Sequence, residues 1–366
     1  MNENTLPCTM KGVVLVGHGG LEQLQYRQDL PVPKVGAGEV LIRVGAAAVN
    51  NTDINTRIGW YSKGVTGQTN SGAESGFAEA DDDDASWSGI PLQFPRVQGA
   101  DCCGEIVAVG AGVSPARIGE RVLVRSMQQA PGVDDPFVCI TYGSECDGSF
   151  AQYCTARANE AFHIDSTLSD AELASFPCAY STAENMLARA GLNAGERVLI
   201  TGASGGVGSA AVQLAKRRGA HVLAVCGAAK RAEVEQMGAN RVIERGASLL
   251  DTLGRDSLDV VIDLVAGEQW PELPDLLRRG GRYAVAGAIG GPLVTLDVRT
   301  LYLKDLSFFG CTWQAREVFE NLIGYIERGE IRPLVSRIYP LADIVQAQQD
   351  FMDKKFVGKL VLLPAA

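Results

Sequence analysis

The chain has 366 residues, a length that predicts two domains, and its 46% apolar and 21% charged composition is typical of a globular protein. The net charge of −10 argues against nucleic acid or an anionic membrane surface as a partner. No apolar run reaches the roughly 18 residues of a membrane span, and the N-terminus lacks the basic and apolar regions of a secretory signal. The nine cysteines, an odd number, favour reduced thiols and a cytoplasmic location over a disulfide framework.

Residues 1–165 predict a β-rich domain, because short apolar runs alternate there with turns that contain Gly and Pro. The runs begin with a hairpin within residues 12–30 and continue with a strand at 39–49. Residues 63–89 differ, since they are rich in small polar residues and contain four consecutive aspartates. This composition predicts a long surface loop, at least partly disordered, which is either a lid beside a substrate mouth or a solvated insertion.

The pattern changes after residue 165. Residues 168–190 predict a helix with a kink at Pro177, and strand and helix signals then alternate as far as residue 310. This alternation predicts a doubly wound parallel sheet over residues 166–312. Residues 313–366 contain a helix signal and a last strand, and we expect them to fold back onto the first domain.

Residues 197–225 have the order strand, turn, helix, strand that a dinucleotide-binding unit requires. Gly205 lets a pyrophosphate approach the backbone, and Gly208 lets the helix pack closely on the strand. The helix start offers unpaired N–H groups to the phosphates. The alternative is a tight turn that binds nothing. The predicted cofactor contacts in the turn are Ala203, Ser204, Gly205, Gly206, Val207 and Gly208.

The end of the second strand of this unit indicates which dinucleotide is bound. NAD sites usually have an acidic residue there to bind the ribose 2′-hydroxyl, but residues 223–232 contain no acid. Lys230 and Arg231 instead bring positive charge that would attract a 2′-phosphate. Arg231 is the stronger candidate, because a planar guanidinium suits phosphate. The sequence therefore favours NADP over NAD, the alternative being two solvated residues at the start of a surface helix.

Six motifs are spread over nearly the whole chain. They are Val49-Asn50-x-x-Asp53, Gly99-x-Asp101-x-x-Gly104, Gly195-Glu196-x-Val198-Leu199-Ile200, the Ala-x-Gly-Gly-Val-Gly turn, Asp259-Val260-Val261-Ile262-Asp263 and Gly358-Lys359-Leu360-Val361. Together they resemble the medium-chain dehydrogenase/reductase superfamily, and within it the zinc-independent quinone oxidoreductase-like branch. The resemblance implies a Rossmann-type doubly wound parallel sheet at 166–312 and a GroES-like catalytic domain built from 1–165 and 313–366. It also implies a homodimer formed through residues 293–309, at the edge of the dinucleotide-binding sheet.

The resemblance also indicates whether the catalytic zinc of some relatives is expected here. Those relatives use a Cys three residues before the position of Asp53, a His after a glycine, and a third ligand that resembles Cys178. The first two positions hold Asn50 and Ala100 in this chain. A catalytic zinc requires three protein ligands, so we expect no metal.

Two other cysteine groups offer alternative metal sites. Cys102 and Cys103 could form part of a rearranged zinc site. The region that corresponds to the relatives' structural zinc lobe offers Cys139, Cys146 and Cys154, whose spacings of seven and eight positions do not match Cys-x₂-Cys. Buried reduced thiols are the favoured interpretation of all of them.

Without a metal to stabilise an alkoxide, hydride transfer from NADPH to a quinone or to an α,β-unsaturated carbonyl is the favoured chemistry. The resemblance places Asn50 and Asp53 near the nicotinamide ribose and makes Tyr61 the candidate donor that polarises the substrate. It also makes Thr182 a nicotinamide contact, unless its hydroxyl bonds back to the preceding helical turn. Arg57 would bind an anionic substrate group or pair with an acid such as Asp101.

Two alternative functions remain open from the sequence. The first is an alcohol dehydrogenase-like enzyme that uses zinc despite the missing ligands. The second is a non-catalytic module that binds NADPH. In each case the expected partner is a small molecule.

Overall fold

The structure, a computed structural model, describes residues 6–364. The N-terminal part consists mainly of short strands. Its elements are β1 (Thr9–Leu15), β2 (Leu24–Pro31), β3 (Glu39–Ala48), α1 (Asn51–Ile58), β4 (Arg96–Val97), β5 (Asp101–Val109), β6 (Arg121–Val124), β7 (Met127–Gln129), β8 (Cys139–Thr141), β9 (Tyr153–Arg157), β10 (Ala161–His163) and α2 (Asp170–Leu173).

The rest of the chain alternates helices and strands before it ends in a strand. Its elements are α3 (Pro177–Arg189), β11 (Arg197–Ile200), α4 (Gly206–Arg217), β12 (His221–Cys226), α5 (Arg231–Gln236), β13 (Arg241–Glu244), α6 (Leu249–Leu253), β14 (Leu258–Asp263), α7 (Leu273–Leu276), β15 (Leu277–Val285), α8 (Val298–Leu303), β16 (Ser307–Gly310), α9 (Arg316–Glu327), β17 (Val335–Pro340), α10 (Ile344–Met352) and β18 (Lys359–Leu363).

The β-rich part is organised around β3. One edge of β3 pairs with β5 along nearly its whole length, and its other edge is shared by β9 and β18. The strand order β10-β6-β5-β3-β18-β17 therefore joins strands of the N-terminal part to β17 and β18, the last two strands of the chain, in one sheet. A separate sheet, β2-β1-β4, contains the predicted hairpin.

The second part is a parallel sheet with the strand order β13-β12-β11-β14-β15-β16. Its central strands β11, β12 and β14 are mostly apolar and buried, as expected for a parallel sheet with both faces covered by helices. The order reverses direction between β11 and β14, and ligands bind at such a point in doubly wound sheets. The predicted fold class is confirmed.

Three local features differ from the sequence-based expectations or refine them. The helix expected over 168–190 is two helices, because Pro177 lies in the first turn of α3, where its missing N–H costs nothing. Residues 63–89 form a folded segment with buried side chains rather than a solvated loop: the N–H of Thr69 donates to Ile289 O at 3.2 Å, across the two domains. Helix α9 packs on α3, so its residues lie with the helices of the parallel sheet.

No helix among residues 6–364 combines the length and apolarity needed to cross a membrane. The nine cysteines are free thiols, and most are buried.

Candidate active site

Three polar residues meet at one end of the sheet that is organised around β3. Asn50 follows β3, Asp101 begins β5, and Lys359 begins β18. Both β5 and β18 run antiparallel to β3, so their first residues lie beside the last residues of β3. Strand order therefore brings these side chains together although they are far apart in sequence.

The Lys359 ammonium is at the centre of this cluster. It donates to Asn50 Oδ1 at 2.5 Å, to Asp101 Oδ2 at 2.8 Å and to the backbone oxygen of Val49 at 3.2 Å. Asn50 Nδ2 in turn donates to Asp101 Oδ2 at 2.8 Å. All three side chains are buried, and a buried ion pair needs such complete hydrogen bonding to offset its desolvation. The carboxamide of Asn50 is thus held in one orientation.

Asp53 lies in the first turn of α1 and accepts the backbone N–H of Asn50 at 2.8 Å. Burial disfavours its charged form and raises the pKa of Asp53 to about 7; the Asn50 hydrogen bond opposes this shift, and the negative charge of Asp101 adds to it. Its backbone oxygen also accepts from Gln98 Nε2 at 2.9 Å. These contacts make Asp53 a residue that fixes the start of α1.

Helix α3 forms the wall of the cluster that belongs to the second domain. The backbone N–H of Cys178 donates to Asp101 Oδ1 at 2.7 Å. Burial, and then the charge of Asp101, raises the pKa of the Cys178 thiol, which therefore stays protonated. The Thr182 hydroxyl donates to the backbone oxygen of Cys178 at 2.7 Å, which is the bond to the preceding turn named above as the alternative. Its role as a nicotinamide contact stays a prediction.

Tyr61 lies after α1, half-buried near the same wall. Its hydroxyl donates to Thr52 Oγ1 at 3.3 Å. Burial raises the pKa of Tyr61, so the hydroxyl is protonated at neutral pH and able to donate. The nearby Asn55 is also buried, and its Oδ1 has no hydrogen-bond partner among the described residues.

Arg57 follows neither of the two expectations for it. Its guanidinium is fully buried and donates to Gln348 Oε1 at 2.9 Å, to Gly19 O at 2.9 Å and to Ala73 O at 3.0 Å. Burial lowers the pKa of Arg57 to about 10. The residue therefore fastens the 63–89 segment to the catalytic domain, and the partner of Asp101 is Lys359.

The turn between β11 and α4 has the shape predicted for it. Gly202 has a positive φ of 59°, and a Cβ on Gly208 would lie 2.2 Å from Gly202 O, so α4 can approach the turn only with glycine there. A Cβ on Gly205 would meet nothing nearer than Gly202 O at 3.5 Å. The space above Gly205 is open, and no side chain caps α4, so its first N–H groups are free for a phosphate. This cradle fits a dinucleotide.

The turn between β11 and α4 also contacts the cluster of Asn50, Asp101 and Lys359. A Cβ on Gly206 would lie 3.0 Å from Lys359 Cδ, and the N–H of Gly358 donates to Ser204 O at 3.1 Å. Lys359 therefore joins the two predicted sites.

The two cations expected to bind a 2′-phosphate have partners within the chain. Lys230 Nζ donates to the backbone oxygens of Lys354 at 2.5 Å and Phe356 at 2.7 Å. Arg231 Nη1 donates to Val242 O at 3.0 Å, and Nη1 lies 3.6 Å from Glu235 Oε1. Their contact with a cofactor stays a prediction.

Two further cations lie beside Lys230. Arg245 follows β13 and is exposed; its Nη2 is 4.0 Å from the place of a Cβ on Gly227, and within residues 6–364 it forms no ion pair. Burial and then the charge of Arg245 lower the pKa of Lys230. Burial and then the charge of Lys230 lower the pKa of Lys354 to about 8. Cations that repel one another in this way attract an anion to the place between them.

Comparison with known proteins agrees with this geometry. Residues 36–166 match the family described as alcohol dehydrogenase GroES-like domain, and residues 206–328 match the family described as zinc-binding dehydrogenase. The acryloyl-coenzyme A reductase of Metallosphaera sedula is 30% identical over 96% of this chain and 99% of that protein. The chain belongs to the medium-chain dehydrogenase/reductase superfamily.

Two other members of the superfamily extend the comparison. The quinone oxidoreductase of Rattus norvegicus is 29% identical over 97% of this chain and 98% of that protein. A solved structure described as a putative alcohol dehydrogenase from Sinorhizobium meliloti is 46% identical, with a TM-score of 0.88 over 99% of this chain and 98% of that one. The relatives are oxidoreductases, which supports an enzyme that uses a nicotinamide cofactor.

One matched family is described as zinc-binding, so the side chains at the ligand positions decide whether this chain could hold zinc. The three ligand-like positions hold Asn50, Ala100 and Cys178, and the Lys359 ammonium lies against Asn50 and Asp101. Among residues 6–364, His, Cys, Asp and Glu form no group of three placed to hold a metal ion. A cationic amine, an amide and a protonated thiol do not fit a catalytic zinc site.

Two residues at the predicted sites could not be identified from local sequence. Lys359 belongs to a C-terminal motif, and its partner Asp101 is 258 positions away. Arg245 lies outside residues 223–232, where the sequence predicts the phosphate ligands. The signal for Arg245 was its position directly after β13, because the ends of neighbouring parallel strands share one edge of the sheet.

Proposed function

We propose that the protein is an NADPH-dependent, metal-independent reductase of carbonyl compounds with a conjugated C=C bond, or of quinones. The observation that supports this most strongly is the fixed Lys359 ammonium between Asn50 and Asp101, where zinc-dependent relatives need metal ligands. The names of the acryloyl-coenzyme A reductase and quinone oxidoreductase relatives agree with it. Among conjugated carbonyls, acyl thioesters are therefore candidates.

A bound NADPH would supply a hydride, that is two electrons and one hydrogen nucleus, to the far carbon of the C=C bond. The chain would contribute orientation and a hydrogen-bond donor. The N-terminus of α4 and Gly205 would hold the pyrophosphate. The protonated Tyr61 hydroxyl would donate to the carbonyl oxygen, where negative charge develops, and water would supply the proton to the near carbon.

The preference for NADP is supported by the cations Lys230, Arg245 and Lys354. Burial and then repulsion between neighbouring cations lower the pKa values of Lys230 and Lys354, and a 2′-phosphate would relieve that repulsion. Residues 223–232, at the end of β12, contain no acidic residue that could bind a ribose 2′-hydroxyl instead. We therefore propose that the ribose bearing the 2′-phosphate lies beside Gly227.

The proposed function is tested by following NADPH absorbance with a small enone, a quinone and a secondary ketone. Oxidation of NADPH by the enone or quinone supports the proposal. Turnover of the ketone alone, with zinc in the sample, would indicate the alcohol dehydrogenase-like alternative. Tight NADPH binding without oxidation by any compound would indicate a non-catalytic module.

We also propose a homodimer. Strand β16 is one of the two edge strands of the parallel sheet. In the chain just before it, the side chains of Leu293, Val298, Tyr302 and Leu303 are more than half exposed. Apolar side chains grouped next to a free sheet edge are typical of an interface. Light scattering should give twice the chain mass of 38.8 kDa, and Leu303→Lys should halve it.

A further inference from the structure

A cavity of about 510 Å³ lies apart from the cluster of Asn50, Asp101 and Lys359. It opens between the segment from β6 to β8 in the catalytic domain and the chain that follows β16 in the other domain. Its walls include Arg125, Gln128, Cys139, Trp313 and Gln314, and none of the predicted catalytic residues. The volume is that of a site for a small organic molecule.

Gln314 carries the strongest sign that the cavity binds a ligand. The residue is only 6% exposed, yet its Oε1 has no hydrogen-bond partner among the described residues. Its backbone is held in place, because Arg125 Nη1 donates to Gln314 O at 3.2 Å. A buried amide oxygen without a partner is costly, so a donor group that enters the cavity is expected to satisfy it.

The charges in the walls argue against an anionic ligand. The three arginines already have partners in the chain, so an anion would find no unpaired guanidinium there. Arg125 pairs with Glu160 at 2.6 Å, Arg157 donates to Gln128 Oε1 at 2.9 Å, and Arg316 pairs with Glu320 at 2.9 Å. The buried wall atom without a partner among the described residues is Gln314 Oε1, an acceptor, which matches an N–H donor such as that of an amide.

Helix α3 connects the cavity to the candidate active site. Cys178, Thr182 and Asn185 occupy one face of the helix at a spacing of four and three residues. Cys178 touches Asp101, whereas Asn185 Nδ2 donates to Trp313 O at 3.0 Å in the cavity wall. Seven residues of helix span about 10 Å. An extended substrate could therefore react near Thr182 while its tail lies in the cavity.

We propose that this cavity binds the amide-bearing chain of an acyl-thioester substrate, with one of its amides hydrogen-bonded to the Gln314 carboxamide. The inference rests on the proposed function and narrows it to thioesters carried on a pantetheine-like arm. The carboxamide of nicotinamide has the same chemistry, so the experiment must separate the substrate from the cofactor as the source of the amide.

The experiment compares Gln314→Met with the control Gln346→Met, which changes an exposed glutamine on α10. The substrates are acryloyl-pantetheine and a small enone that has no amide. We expect Gln314→Met to raise the KM for acryloyl-pantetheine about tenfold, the loss typical of one buried hydrogen bond, and to leave the enone KM and the Kd of NADPH within about twofold. Equal changes for both substrates, no change, or a weakened NADPH affinity would overturn the inference.

A second measurement needs no variant and stands if Gln314→Met does not fold. The unsubstituted protein is given two acryloyl thioesters of equal length, one with the pantetheine amides and one with esters in their place. A lower KM for the amide arm is expected, and equal KM values would overturn the inference. If the protein oxidises NADPH with neither the enone nor a thioester, the proposed function has failed, and calorimetric binding of free pantetheine to the unsubstituted protein and to Gln314→Met still decides whether the cavity takes an amide chain.

Discussion

The Lys359 cluster and the glycine turn at residues 202–208 are both built where strands end, but they use their polar groups in opposite ways. In the cluster, Lys359, Asp101 and Asn50 satisfy one another. In the turn, the first N–H groups of α4 have no side-chain cap, and the space above Gly205 is open. The closed cluster joins and orients the two domains, whereas the open turn is ready for a ligand. Mutations in the two regions should therefore separate stability from binding.

Lys359→Met is expected to have the largest effect, because it leaves the buried Asp101 carboxylate without its cation. The free energy of unfolding should fall by about 3–5 kcal/mol in denaturant titrations. Lys355→Met, which removes a largely exposed lysine, is the matched control and should change little. The double variant Lys359→Met/Asp101→Asn should recover part of the lost free energy of unfolding. If the double variant loses as much free energy as the two single variants added together, the pairing of Lys359 with Asp101 is contradicted.

Asp53 should give the stability of the protein a particular pH dependence. The pKa of Asp53 is about 7 in the folded protein and near 3.8 in an unfolded chain, so the folded state binds more protons between these values. The contribution of Asp53 is therefore fully present below about pH 4 and is lost as pH rises towards 7, at about 1 kcal/mol per pH unit in the middle of the range.

The measurement is the free energy of unfolding in urea at pH 5, 6 and 7 for the protein and for Asp53→Asn. The difference between the two should narrow as pH rises, since only the unsubstituted protein carries the titrating group. Asp82→Asn, in the 63–89 segment, changes an exposed carboxylate and is the control. Parallel pH profiles for the protein and Asp53→Asn would show that this carboxyl is ionised throughout.

Gly205→Ala should weaken NADPH binding without loss of stability. The backbone of Gly205 is extended, with φ −79°, so alanine fits, but its Cβ would enter the space above the turn. The Kd of NADPH should rise at least tenfold while the melting temperature stays within a few degrees. Gly208→Ala, whose Cβ would lie 2.2 Å from Gly202 O, should lower both the affinity for NADPH and the melting temperature. Unchanged affinity in Gly205→Ala would place the pyrophosphate elsewhere.

Variants of the cations near Gly227 should have the smallest effect, which is a change in the preference for NADPH over NADH. Arg245→Ala is expected to raise the Kd of NADPH about fivefold and to leave that of NADH unchanged, as for one exposed charge contact. Arg231→Ala should act in the same direction but less, because Arg231 already donates to Val242 O and lies beside Glu235. Fluorescence titration with both cofactors measures this, and equal losses for both would rule out contact with a 2′-phosphate.

The features that could be predicted from the sequence are those that depend on residues close together in the chain. The dinucleotide turn follows from glycines within one strand–turn–helix unit, so its shape could be predicted from a dozen residues. The pairing of Lys359 with Asp101, and the use of Arg57 to fasten the 63–89 segment, depend on strand order and on contacts between distant parts of the chain. For this reason the sequence predicted an acid or an anionic substrate group as the partner of Arg57, which was wrong, and predicted no role for Lys359.

We propose that the protein reduces its substrate without a metal, with Lys359 where zinc-dependent relatives need ligands. NADPH oxidation with a small enone by protein dialysed against a chelator, with zinc measured in the same sample, tests this proposal. Unchanged turnover is expected at a zinc content far below one atom per chain. Activity that disappears on chelation and returns in proportion to added zinc would contradict it.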